Sequence, residues 1–140
     1  MNRIIFVIVW LLVSCETEPQ KINFGKDVCD YCKMTIMDKK FGAELMNSKG
    51  KTQKFDAAEC MINYIKTDAA YIPKHYYVIN YETTAELINA ETAIYLQGGQ
   101  VRSPMGGKLA AFSDKEAAEK FQNELQGTIL TWVEVKRLDF

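Results

Sequence analysis

The sequence predicts an α+β fold made of two packed β-β-α-β units. Three observations predict it. Short runs rich in alternating, β-branched and aromatic residues flank two stretches with helical apolar spacing. Phe55-Asp56-x-x-Glu59 and Phe112-Ser113-x-x-Glu116 each end a strand and open a helix. The order strand, strand, helix, strand then occurs twice, in residues 27–82 and 83–140. The repeat is one of pattern, not of residue identity. Neither unit alone has enough chain to bury a helix and three strands, so the two are expected to pack on each other.

The elements follow in order. Phe41 to Asn47 alternates loosely and reads as a strand, Gly50 permits the turn after it, and Thr52–Phe55 returns as its hairpin partner. Asp56 with Glu59 has the form of a capping box, opening a helix from Ala57 to about Lys66. Pro73 punctuates a loop, and His75 to Asn80 is aromatic and β-branched enough for a strand. In the second unit, Ala93–Gln97 and Leu109–Phe112 read as strands on either side of the Gly98-Gly99 break. Ser113 and Glu116 form a second capping box for a helix over Asp114–Leu125, with Gly127 as its C-terminal cap. Thr128 to Val135 alternates as a last strand.

The first residues read as an address. Arg3 precedes ten apolar residues, Ile4 to Val13, which are too few to span a bilayer stably but suit a signal segment. Leu12-Val13-Ser14-Cys15 resembles the bacterial lipobox, so residues 1–14 are expected to be removed and Cys15 lipidated. Residues 15–26 are polar and read as a lipidated tether. The mature protein would then be anchored to the cell envelope, facing the periplasm or the exterior. Loss of residues 1–14 deletes one base and no acid, moving the net charge from −1 to −2. That balance argues against nucleic acid as a partner. With Cys15 lipidated, Cys29, Cys32 and Cys60 remain, an odd count for an oxidising compartment.

The chemistry lies in Cys29-Asp30-Tyr31-Cys32-Lys33-Met34. Thiolate and thioether are soft donors that together favour Cu(I) over hard cations. The same two cysteines also fit a zinc knuckle or a dithiol–disulfide pair. A second loop, Val101-Arg-Ser-Pro-Met105-Gly-Gly107, sets a thioether between a stiff residue and two permissive ones. Met37, Met46 and Met61 read as core filler, and Cys60 as a buried helix cysteine. Cys60 and His75 with Cys29 and Cys32 would complete a Cys₃His zinc site, which leaves Met34 and Met105 without a role. Asp56, one turn from Cys60, keeps an enzymatic reading open, although a helix cap accounts for it.

Cys29-x-x-Cys32-x-Met34, Phe55-Asp56-x-x-x-Cys60-Met61, Ser103-Pro104-Met105-Gly106-Gly107 and Ala111-Phe112 with Ala117-Ala118-x-x-x-Phe121 resemble the NosL family across nearly all of the mature chain. The resemblance implies a non-enzymatic lipoprotein that delivers Cu(I) for assembly of nitrous oxide reductase. It also implies a fold of paired β-β-α-β units related to part of organomercurial lyase. One departure is Lys33, where the family often has Gly to ease a tight loop. The expected Cu(I) ligands are Cys32, Met34 and Met105, with Cys29 next. A thiol–disulfide redox lipoprotein and a structural zinc lipoprotein are the alternatives.

Overall fold

The computed structural model describes residues 18–68 and 70–140. The signal segment 1–14 and Cys15 lie outside the described residues. The first unit contains β1 (Ala43–Met46), β2 (Thr52–Phe55), α1 (Ala58–Thr67) and β3 (His75–Ile79), followed by β4 (Leu87–Asn89). The second contains β5 (Ile94–Gln97), β6 (Leu109–Phe112), α2 (Lys115–Leu125) and β7 (Thr128–Thr131), followed by α3 (Trp132–Val135). The first sheet has the order β2-β1-β3-β4 and the second β6-β5-β7, with every pairing antiparallel. In both units the first strand is central, the hairpin partner lies on one side, and the strand after the helix lies on the other. The expected two β-β-α-β units are therefore present.

Register assigns the faces. In the first sheet Leu45, Phe55 and Val78 belong to the inner core, while Glu44 and Met46 share the other face with their partners Lys54, Thr52, Tyr77 and His75. Helix α1 touches β1 and β2 of the first sheet and β6 of the second, so it lies between the sheets. The sheets meet where Asn80 bridges Ala111 in parallel and the Tyr81 N–H donates to the Ala111 carbonyl at 2.8 Å. Helix α2 sets Ala117 and Ala118 against Phe112, Ala110 and Leu96, and Phe41 of the first unit joins that cluster.

Several expectations change. The expected tether is docked over part of its described length. The Gln20 N–H donates to Glu44 Oε1 at 2.9 Å, Lys54 Nζ donates to the Lys21 carbonyl at 2.8 Å, and Ile22 is buried. A sheet face that buries Glu44 needs a cover, and this segment supplies one. The expected boundary at residues 82–83 falls in a turn, and the unforeseen β4 beyond it extends the first sheet.

Helix α1 has Ala57 as its N-cap with no side-chain cap, so neither Asp56 nor Glu59 does the expected job. Helix α2 is capped by Asp114, which accepts from the Ala117 N–H, with Ser113 merely donating to Asp114. Its C-terminal turn uses Gln126 at φ 56, one residue before the expected Gly127. The last strand stops at Thr131, where a capping box with Glu134 turns the chain into α3. Met46 and Met61 are core residues, but Met37 is 66% exposed.

Candidate metal centre

The Cys-x-x-Cys stretch forms the tip of a small hairpin. Val28 bridges Thr35, the Ile36 N–H donates to the Asp27 carbonyl at 2.9 Å, and the Cys29 N–H donates to the Met34 carbonyl at 2.8 Å. Lys33 closes the turn at φ 64, the left-handed conformation that explains why Gly eases this position. Lys54 of β2 ties the hairpin down. Its N–H donates to Asp30 Oδ2 at 2.9 Å, its carbonyl accepts the Asp30 N–H at 2.9 Å, and its Nζ pairs with Asp27 at 2.7 Å. Strand β2 runs directly into α1, so the same tie brings the first turn of that helix to the hairpin tip.

The result is a cluster of three thiols. The sulfurs of Cys29, Cys32 and Cys60 all lie within 4.8 Å of one another. Two sulfurs bound to one ion at about 2.3 Å each sit at most about 4.6 Å apart, so little movement closes the group on a metal. Cys29 and Cys60 are fully buried and Cys32 is half-buried. Cys60 is the buried helix cysteine expected, and its thiol lies with the other two. The available signal was its place in the first turn of a helix that directly follows β2.

The thiols behave as one titrating unit. Cys29 is drawn down to about 5, first by the thiol of Cys60, which donates to it, and then by backbone N–H groups of Asp56, Cys32 and Tyr31. Such a ring of N–H donors stabilises a thiolate even where burial opposes it. Cys60 is pushed far up, chiefly because it donates to Cys29, with burial and the neighbouring thiols adding to the effect. Cys32 is raised by burial first and by Cys29 next, despite a hydrogen bond from the Met34 backbone. Asp56 is buried, and its carboxylate accepts the Met37 backbone N–H. Burial first, and then the Cys29 charge, raise its pKa.

Met34 is 57% exposed, two residues beyond Cys32. Met105 is 40% exposed on a loop of the second unit. That loop is docked on α1: Ser103 Oγ donates to Glu59, the residue before Cys60. Met105 also lines a surface depression with Gln97, Lys108 and the C-terminal Leu138–Phe140. His75 is outside the thiol group. It lies opposite Met46 and stacks on Tyr77, with ring centroids 6.3 Å apart. The Cys₃His arrangement is therefore not formed.

Fold and site together define a protein of paired β-β-α-β units with a three-thiol cluster, able to hold a metal ion, at the first turn of its first helix. The family model for NosL matches residues 20–139, and the chain belongs to that family. Among solved structures, the chain is similar to the copper chaperone NosL from Shewanella denitrificans, at 23% identity and a TM-score of 0.70. The match covers 84% of this chain and 95% of that one. No curated protein matches the sequence.

Proposed function

We propose that this chain is a Cu(I)-binding lipoprotein chaperone, held to the cell envelope through Cys15 and supplying copper for assembly of nitrous oxide reductase. The observation that carries the reading is the convergence of three thiols within 4.8 Å, in a chain of the NosL family that also exposes Met34 two residues beyond Cys32. Copper is the cargo. Cys32, Met34 and Met105 are its ligands on the open side, with Cys29 next. Cys60 contributes by its place beside Cys29, whose thiolate it supports.

The asymmetry of the site suits transfer. Cys29 and Cys60 form a dry floor, whereas Cys32 and the two thioethers lie nearer solvent. Sulfur donors hold Cu(I) against loss to water. A partner's ligand attacks from the open side and replaces the thioethers first, so the ion passes through a shared intermediate. Binding converts the protonated thiols into thiolates, releases protons and weakens in acid.

The dithiol reading fits less well. An attacking cysteine must be both ionised and accessible. Here the readily ionised thiol, Cys29, is fully buried, and the more accessible one, Cys32, is shifted upward. The enzymatic reading loses support in the same way, because the Asp56 carboxylate is buried and engaged by the Met37 backbone.

The test is an anaerobic titration with Cu(I) against a competing chelator, with zinc as a second competitor. One Cu(I) per chain with thiolate-to-copper charge-transfer absorbance is expected. Displacement of Cu(I) by stoichiometric zinc would refute the reading. For the anchor, Cys15→Ala is expected to stop incorporation of labelled fatty acid, and unchanged labelling would exclude lipidation at that residue.

A further inference from the structure

We propose that Glu59 is a positioning residue for copper binding, clamping the Met105 loop of the second unit onto the first turn of α1 beside Cys60. The inference rests on the reading of Met105 as a copper ligand. Glu59 is fully buried between the two units, where a carboxyl group is costly unless its oxygens are satisfied, and its Oε2 has no partner among the described residues. Its Oε1 accepts from Ser103 Oγ and, at 3.4 Å, from the Leu109 N–H. Ser103 Oγ in turn accepts the Lys108 N–H at 2.8 Å, and the Ser103 carbonyl accepts the Gly106 N–H at 3.0 Å. Both ends of the short loop that carries Met105 are thus fastened, directly or through Ser103, to one carboxylate.

The two glycines of this loop have different duties. Gly106 stands in open space at φ +76 and supplies the turn. Gly107 supplies proximity. A Cβ there would meet Glu59 Cγ at 2.6 Å and Phe140 Cδ1 at 2.6 Å. The loop therefore approaches the Glu59 side chain as closely as a backbone without Cβ allows. A cap would satisfy the same glutamate at the helix terminus, yet α1 has no side-chain cap. Glu59 is spent on the second unit instead. Since Cys60 is the next residue of the helix, a loop fixed to Glu59 is fixed relative to the thiols. Without the clamp Met105 would have to be ordered by the metal itself, and each binding event would bear that ordering cost.

The experiment is a double-mutant cycle on the full mature chain, read as Cu(I) affinity in the chelator competition and as the sulfur coordination number by X-ray absorption. Glu59→Leu removes the acceptor at similar volume, Glu59→Gln keeps it, and Ser103→Ala cuts the same hydrogen bond from the other side should Glu59→Leu fail to fold. Glu59→Leu is expected to weaken Cu(I) about tenfold and to lower the sulfur count as Met105→Leu does. Ser103→Ala is expected to act in the same direction, and Glu59→Gln to stay within about twofold of the parent. In the Met105→Leu background, Glu59→Leu should then change little. Effects of the two substitutions that multiply would overturn the clamp while leaving Met105 a ligand. An unchanged affinity on Met105→Leu alone would overturn the ligand reading, and the clamp with it.

Discussion

The two β-β-α-β units share a strand order and differ in what the start of the helix is used for. In the second unit Asp114 caps α2, Glu116 is exposed, and Ala117 and Ala118 pack on the sheet. In the first unit the corresponding turn has no side-chain cap. The Asp56 backbone N–H serves the Cys29 sulfur, Glu59 reaches into the other unit, and Cys60 joins the thiol cluster. The faces of the sheets away from α1 differ as well. The second sheet is covered by a regular helix, the first by an extended segment that meets a buried Glu44. One scaffold thus gives a unit optimised for packing and a unit that gives up local stability to assemble a site.

The largest test of this contrast is removal of a rim thiol. Cys32→Ser is expected to weaken Cu(I) by about a thousandfold, or roughly 4 kcal/mol, and Cys29→Ser by less. Neither change should alter the second unit. Equal losses for the two variants in the chelator competition would erase the distinction between floor and rim.

The cover of the first sheet gives the next effect. Burial raises the Glu44 carboxyl to about 7 from 4.5, against the opposing pull of the Gln20 N–H and Lys54. A carboxyl raised in the folded state contributes stability that is complete below its unfolded value and is lost as pH rises through the folded one. The parent is therefore expected to lose roughly 3 kcal/mol between about pH 4.5 and 7, and Glu44→Gln to lack that loss. Urea melts across this range decide the matter, and parallel slopes for both proteins would exclude Glu44 as the source.

Met105→Leu sharpens the comparison from the other side, because it alters the second unit's one proposed contribution to the site. Volume is nearly conserved, so stability should hold while Cu(I) binding weakens about tenfold, or 1.4 kcal/mol. An isothermal titration showing parent affinity would confine the site to the first unit. The smallest effect belongs to Lys33. It sits at φ 64, where a Cβ is unfavourable, and Lys33→Gly is expected to stabilise the fold by about 1 kcal/mol without changing the metal stoichiometry. A lower melting temperature would mean that the entropy gained by the unfolded chain outweighs the relieved strain.

The sequence by itself determined what depends on neighbours along the chain. Strand alternation, the turn at Gly50, the amphipathic helices and the Cys-x-x-Cys-x-Met tip all arise from periods and spacings within a few residues. They carried the paired-unit architecture and the soft-donor reading. Tertiary structure decided the rest. The three-residue β4 exists because β3 offers it an edge, and α3 because the capping box at Thr131 interrupts an alternating run. Asp56 and Glu59 have the spacing of a capping box, yet the site and the second unit compete for them and win. Cys60 has the pattern of a core cysteine until the pairing of Lys54 with Asp27 and Asp30 carries its helix to the hairpin tip. Glu59 and Ser103 are 44 residues apart, and they meet only because the second sheet docks on α1. A local pattern specifies an element, but which buried side chains meet depends on how elements dock, and docking is fixed by the packing of the whole core.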